Sequence, residues 1–281
     1  MAGEYMLSSV HVHSKLCDGK NTLDELAVTA WHMGLKTLGF TGHSHTPCDL
    51  EYCMSPVRTA RYKGDVAKLQ KQYAGKLDIL YGLEWDLFSD DDPSKYDYWI
   101  GSTHYIHGPK TGKYYEIDWR ESDLADCINT EFDGDGLAAV EAYFDNVKKL
   151  AALRPTILGH FDLIKKINGG SKFFDEDAPR YHQAASDALA VAARNRCVLE
   201  LNTSGIARGF RQDFFPSDAI LKEWLALSGN VVITADAHAA DHLTFGYEQA
   251  AAKLKELGYD KVQVLGKDGF EIGRASCRER V

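Results

Sequence analysis

The sequence predicts a single α/β domain of repeated strand-helix units, the type that closes into a barrel. Short apolar runs rich in β-branched and aromatic residues alternate with longer stretches of helical character, which is typical of a parallel sheet. One such barrel needs about 200 to 250 residues. The 281 residues would also fit two ordinary domains, so the alternation, not the length, favours one domain.

The predicted elements follow one another in the order strand, helix, strand. Strands are predicted near residues 7–13, 36–42, 77–84, 97–103, 155–160, 196–202 and 230–236. Helices are predicted near residues 22–33, 58–74, 137–152, 178–194, 217–228 and 246–257. Asn21 or Thr22 can cap the first helix and Gly34 can end it. Ser217 is the predicted cap of a later helix.

Two segments do not follow this alternation. Residues 105–136 carry GPKTG and DGDG turns around the aromatic segment YYEIDW, which predicts an insertion rather than another strand-helix unit. Such insertions at a barrel mouth often determine specificity. Residues 271–281, EIGRASCRERV, resemble translated cloning sequence. We therefore interpret 1–270 as one domain and 271–281 as a tail that does not belong to the natural protein.

Charge and composition limit the partners of the protein. A formal charge of −9 disfavours a nucleic acid, because nucleic-acid binders usually display a basic face, but it is compatible with a local pocket for one phosphate. No apolar stretch approaches the ~18 residues of a membrane span. We expect a cytoplasmic protein with free thiols, Cys17 being a small filler residue rather than a nucleophile. The oligomeric state is left open.

Potential metal ligands recur at the carboxyl ends of the predicted strands. His11 and His13 alternate along the first strand, so their side chains share a face. The further candidates are Asp18, His43, Glu84, His104, His160, Asp236 and His238. Each alone has an ordinary structural explanation, such as a helix cap. Together they predict one metal site, because barrel active sites assemble at this rim, and imidazole and carboxylate ligands suit catalytic zinc, manganese or iron.

This ordered series resembles the PHP (polymerase and histidinol phosphatase) family, and within it the histidinol-phosphatase branch. The resemblance covers about residues 7–257 and includes the opening HVH, the closing DAH, the YYEIDW insertion and the segment LELNTSGIARG. Gly42 departs from it, because relatives often carry an acidic residue there. The resemblance implies a distorted, TIM-like (β/α)7 barrel and a cluster of three divalent or trivalent metal ions.

The resemblance also implies how the ligands would be shared. One ion would be held by His11, His13, Glu84 and Asp236, a second by Glu84, His104 and His160, and a third by Asp18, His43 and His238. Glu84 would therefore bridge two ions. Asp236 and His238 are also the candidates for the general acid.

Polar residues after the sixth predicted strand are the candidate substrate contacts: Asn202, Thr203, Ser204, Arg208 and Arg211. Arg208 is the preferred phosphate clamp, whereas Arg211 and Lys165 are weaker candidates, because most such cations are solvated.

The expected reaction is hydrolysis of L-histidinol phosphate to L-histidinol and phosphate, a step of histidine biosynthesis. Glu116 and Asp118 in the insertion are candidate partners of the substrate amine. Three alternatives stay open: a PHP phosphoesterase acting on another small phosphomonoester, an amidohydrolase barrel, or a non-catalytic metal-binding protein. An amidohydrolase would often use a modified Lys as the bridging ligand, and no such Lys is apparent.

Overall fold

The computed structural model describes residues 7–274 of the chain. Its strands are β1 Ser8–Ser9, β2 Thr37–Phe40, β3 Asp78–Asp86, β4 Tyr98–Ser102, β5 Tyr105–His107, β6 Tyr114–Glu116, β7 Ile157–Leu158, β8 Val198–Asn202, β9 Asn230–Thr234, β10 Lys261–Gly266 and β11 Gly269–Arg274. Its α-helices are α1 Leu23–His32, α2 Pro56–Gln72, α3 Glu121–Glu131, α4 Gly136–Ala152, α5 Pro179–Arg194, α6 Ser204–Ala207, α7 Asp218–Ala226 and α8 Tyr247–Glu256.

The central sheet is parallel and curls into a barrel. Its strands are hydrogen-bonded in the order β1-β2-β3-β4-β7-β8-β9, each parallel to its neighbour. The ring closes at the carboxyl end, where Val12 pairs with Ala237 and the His13 N–H donates to the Ala237 carbonyl at 2.9 Å. The predicted seven-unit barrel is therefore confirmed.

The distortion comes from β10. This strand pairs in parallel with β9 at Gln263, and the Ser8 hydroxyl donates to the Leu265 carbonyl at 2.8 Å. At the amino end of the barrel β10 therefore lies between β9 and β1, whereas at the carboxyl end the segments that follow β1 and β9 pair directly.

The interior of the barrel is layered. An apolar cluster that includes Leu80, Tyr98, Val198 and Val232 fills its lower part. Tyr98 needs Gly82 on the neighbouring strand, because a Cβ there would lie 2.4 Å from the tyrosine ring. Further along β3, β4 and β8, at even spacing and so on the same face, come the polar residues Glu84, Ser102 and Glu200, and Asp236 follows the end of β9. Strand alternation thus puts acidic groups above an apolar floor.

The helices pack outside the sheet, and their predicted ends fit the structure closely. Thr22 caps α1 in a capping box with Glu25, and Gly34 follows the helix with φ +76°. Ser217 occupies the cap position of α7, but its hydroxyl makes no capping hydrogen bond. Its N–H instead donates to the Asp162 carboxylate at 2.9 Å. None of the helices within residues 7–274 is long and apolar enough to cross a membrane.

The predicted insertion folds as a unit of its own. Strands β5 and β6 form an antiparallel hairpin, and α3 follows it, which the sequence did not indicate. The Glu131 carboxylate of α3 accepts hydrogen bonds from the Lys110 N–H at 2.7 Å and the Tyr115 hydroxyl at 2.9 Å. These bonds fix the hairpin against the helix.

The chain ends in a further antiparallel pair. Strand β11 pairs with β10 from Gly269 to Arg274, so residues 271–274 of the predicted foreign tail belong to the sheet. Residues 275–281 lie outside the described part of the chain. The foreign origin of 271–281 stays a prediction.

Candidate metal centre

The predicted metal ligands converge at the carboxyl end of the barrel, with Glu84 at their centre. The Glu84 carboxylate faces five imidazoles: Oε2 lies 3.0 Å from His43 Nδ1, 3.3 Å from His13 Nε2 and 3.4 Å from His11 Nε2, and Oε1 lies 2.9 Å from His160 Nε2 and 3.5 Å from His104 Nε2. The prediction that these residues meet at one end of a barrel is confirmed.

Four ligand atoms enclose a point suited to a metal ion. Asp236 Oδ1 lies 3.1 Å from His13 Nε2 and 3.5 Å from His11 Nε2, and Glu84 Oε2 lies within 3.4 Å of both nitrogens. Ligands about 2.0 Å from a zinc ion stand about 3.3 Å apart across a tetrahedron. His11 Nε2, His13 Nε2 and Glu84 Oε2 are buried without a hydrogen-bond partner in the described chain. A bound cation would satisfy these otherwise costly groups, so the donor set fits a metal.

Two further groups of ligand atoms lie beside the first. His13, Asp18, His43 and His238 form one, and His43, Glu84 and His104 form the other, each with ligand atoms within 4.8 Å of one another. The first of these two groups contains Asp18, His43 and His238, the three residues that the resemblance assigns to one ion. The second contains Glu84 and His104, which the resemblance assigns to one ion, together with His43; the third residue of that assignment, His160, has its Nε2 2.9 Å from Glu84 Oε1.

The charged groups of the cluster shift one another's pKa values. Burial lowers the pKa values of His11 and His43, but the nearby carboxylates outweigh burial and raise both well above the ordinary value. Burial raises the pKa values of Glu84 and Asp236, but the nearby imidazoles outweigh burial and hold both well below their ordinary values. Burial and the nearby His238 and His43 lower the pKa of His13 to about 4. The carboxylates are therefore ionised and the His13 imidazole is neutral near pH 7, which are the forms that bind metals, and a cation bound here would displace the protons of His11 and His43.

The cluster lies at the base of a cavity of about 610 Å³. Its walls are formed by the insertion and by the loops after β2, β7 and β8, and include Tyr52, Glu116, Asp118, Trp119, Lys166 and Arg208. The cavity thus joins a metal-binding base to a wall that carries both acidic and basic groups.

The PHP domain family matches residues 9–204 of this sequence. The chain belongs to the PHP family. The histidinol-phosphatase of Bacillus subtilis is 26% identical to this PHP protein, over 85% of this chain and 96% of the relative.

Two solved structures have a similar fold. A protein of Listeria monocytogenes described as a histidinol phosphatase has a TM-score of 0.74 at 20% identity, covering 86% of this chain and 99% of its own. The histidinol phosphate phosphatase of Lactococcus lactis, solved with zinc, L-histidinol and phosphate, has a TM-score of 0.68 at 16% identity, covering 95% of this chain and 99% of its own.

Two carboxylates of this PHP domain support the ligands and were missed in the sequence. Glu200 Oε2 lies 2.8 Å from His11 Nδ1, and Asp86 Oδ2 lies 3.2 Å from His104 Nδ1. Such partners orient a ligating imidazole and fix its tautomer. Asp86 lies two residues beyond Glu84 and Glu200 two residues before Asn202, so the same strand alternation could have revealed both.

The structure places some of the candidate substrate residues at the cavity and others away from it. Ser204 and Arg208 line the cavity, whereas Asn202, Thr203 and Arg211 are not part of its lining. The Asn202 amide donates to Glu200 at 2.9 Å, and the Thr203 hydroxyl donates to the Phe245 carbonyl at 2.6 Å.

Arg211 is bound to the protein itself, with guanidinium contacts of 2.9 Å to Glu176 and 2.8 Å to Asp213. The predicted substrate contacts of Asn202, Thr203 and Arg211 are therefore corrected, because their polar groups are used within the fold.

The two adjacent lysines of the loop after β7 also differ in their surroundings. Lys165 is fully buried between Asp162 at 3.0 Å and Asp213 at 2.7 Å. Lys166, which the sequence analysis did not consider, lines the cavity and pairs with Asp118 at 2.6 Å. Lys165 therefore has a structural role and Lys166 lies at the site.

Proposed function

We propose that this PHP protein is a metal-dependent phosphomonoesterase that hydrolyses L-histidinol phosphate to L-histidinol and phosphate in histidine biosynthesis. The observation that carries the proposal is the set of buried, unpaired ligand atoms at the base of a cavity whose wall holds Arg208. The Bacillus subtilis relative, a histidinol-phosphatase, and the Lactococcus lactis structure with zinc, L-histidinol and phosphate support the choice of substrate.

The proposed ligands are the nine residues of the cluster, holding three ions of zinc, manganese or iron. Bound ions would lower the pKa of water near neutral pH and neutralise charge on the phosphoryl oxygens. In this proposal Glu84 keeps the ions together, because each of its two oxygens faces a different set of imidazoles. Glu200 and Asp86 hold His11 and His104 in their ligating orientation.

Asp236 and His238 suit ligation better than proton donation. The Asp236 Oδ2 atom accepts from the Ser204 hydroxyl at 3.0 Å, while Oδ1 belongs to the first ligand group. His238 Nδ1 lies 2.9 Å from the Asp236 carbonyl, and its Nε2 lies 2.9 Å from Asp18 Oδ2. We therefore propose both as ligands and assign no general acid.

Arg208 is the proposed phosphate contact. Its guanidinium carries five N–H donors in a planar fork that matches phosphate oxygens. It lies on the cavity wall against two aromatic rings rather than in a carboxylate pair of the kind that occupies Arg211. Ser204, whose hydroxyl donates to Asp236, also lines the cavity and is a second polar group available there.

Glu116 is the proposed partner of the substrate amine. Asp118, the other candidate, is already paired with Lys166 at 2.6 Å. Glu116 lines the cavity, and burial together with the nearby Asp118 and Asp49 raises its pKa to about 7. A cationic amine beside it would relieve this repulsion, so the acidic wall favours a substrate with a positive group.

The test is a comparison of kcat/KM for L-histidinol phosphate, other alkyl phosphomonoesters and a simple aryl phosphate, using metal-replete protein. We expect the highest value for L-histidinol phosphate. A value no higher than that of the aryl phosphate rejects this substrate and leaves a broader phosphomonoesterase. Stoichiometric metal with no turnover of any ester would instead indicate a metal-binding protein.

A further inference from the structure

Two arginines three positions apart, Arg208 and Arg211, contact different kinds of side chain. Arg211 is fixed by carboxylates, with guanidinium contacts of 2.9 Å to Glu176 and 2.8 Å to Asp213. The Arg208 guanidinium instead lies 5.9 Å from the ring centre of Trp119 and 5.5 Å from that of Phe210. A carboxylate uses up the N–H donors of an arginine, whereas an aromatic face attracts the cation and leaves the donors at its edge free.

Trp119 connects three loops at the cavity mouth. Trp119 belongs to the insertion, and the guanidinium of Arg208, from the loop after β8, lies over its ring. The ring of Tyr52, from the loop after β2, meets it edge-on with 6.0 Å between the ring centres. All three residues line the cavity. Trp119 is still 40% exposed, although a tryptophan gains most stability from full burial. Its position is better explained by its contact with Arg208 than by packing.

We propose that Trp119 is a positioning residue that holds the Arg208 guanidinium toward the cavity and thereby raises its affinity for phosphate. The inference rests on the proposed phosphomonoesterase function and deepens it. A free arginine side chain loses rotamer freedom when it binds an anion, and stacking removes part of that freedom beforehand. The insertion thus contributes to phosphate binding as well as to recognition of the alcohol.

The test measures binding of inorganic phosphate to the metal-loaded protein by calorimetry, which needs no turnover. Trp119→Ala should weaken binding about 3- to 10-fold, because the released Arg208 side chain must then be ordered on binding, and Trp119→Phe should recover most of the affinity. Arg208→Ala should weaken it about 10- to 100-fold, because charge-assisted hydrogen bonds are lost.

The double variant Trp119→Ala/Arg208→Ala decides whether Trp119 acts through Arg208. We expect it to bind phosphate as Arg208→Ala does, because the tryptophan then has nothing to position. Tyr114→Ala is the matched control: Tyr114 is an aromatic residue of the same insertion, 39% exposed, and its ring contacts that of His107 at a tilt of 43°. Its removal should leave phosphate affinity unchanged.

The inference is overturned if Trp119→Ala lowers phosphate affinity by the same factor in the presence and in the absence of Arg208. It is also overturned if Trp119→Ala leaves phosphate affinity unchanged, or if the unmodified protein binds no phosphate. Unchanged metal content and melting temperature establish that the variants fold. If the effects of Trp119 and Arg208 on phosphate affinity depend on each other but no ester is hydrolysed, the proposed function is rejected and the positioning role of Trp119 remains.

Discussion

His11 Nδ1 lies 2.8 Å from Glu200 Oε2, and both side chains are completely buried. A carboxylate at this position accepts the Nδ1–H and leaves the second nitrogen of the ring to face the other ligands. That nitrogen, Nε2, points to the gap between Glu84 and Asp236, at 3.4 and 3.5 Å. The pair therefore fixes the orientation in which His11 would bind a metal ion.

Glu200→Gln should lower metal affinity about 10- to 100-fold, the usual effect of removing a carboxylate behind a ligating histidine. The measurement is competition with a chelator of known affinity. Glu131→Gln is the control, because Glu131 is a buried carboxylate whose partners, including Tyr115, lie in the insertion. Equal metal affinity in both variants would contradict the role of Glu200.

Glu84→Ala should reduce turnover by on the order of 100-fold or more while the barrel stays folded, because the carboxylate would bind the proposed ions and faces imidazoles. Glu84→Gln keeps the shape of the side chain and separates loss of charge from loss of volume. Metal content, circular dichroism and kcat are measured on the same samples. Near-native turnover with intact metal occupancy would exclude Glu84 as the bridge.

The KM for L-histidinol phosphate should rise as pH falls below about 7 through protonation of Glu116. Burial, Asp118, Asp49 and Asp123 raise its pKa, His104 lowers it, and the result is about 7. The carboxylate is charged above that pH and neutral below it, so attraction for an amine is lost on acidification. An aryl phosphate has no amine and supplies the reference profile.

Glu116→Gln should make the two profiles parallel. If the difference between the substrates persists in this variant, another group recognises the amine.

Lys165→Met should lower the free energy of unfolding by about 3–5 kcal/mol, because it leaves the buried carboxylate of Asp162 without its cation. Burial already raises the pKa of Asp162 despite this lysine. Denaturant titration of the metal-loaded protein measures the change. Lys95→Met, which removes an exposed contact with Asp92, should leave stability unchanged. A loss below about 1 kcal/mol for Lys165→Met would show that the buried pair is dispensable.

The sequence by itself determined the strand-helix alternation and the candidate metal ligands. Alternation is a local property: β-branched runs favour strands, and Thr22 caps α1 through neighbours three residues away. The ligands followed from topology, because the carboxyl ends of parallel strands in a barrel always meet at one rim. His11 and Asp236, 225 positions apart in the sequence, could therefore be placed together from the sequence alone.

Only the tertiary structure decided which neighbouring residues face the cavity. Arg208 and Arg211 carry the same chemistry in one loop, and so do Lys165 and Lys166 in another. Which of each pair remains available depends on distant partners, since Asp213 holds both Arg211 and Lys165. Long cationic side chains reach several surroundings from one backbone position, and the nearest carboxylate or aromatic ring is set by folding rather than by sequence spacing.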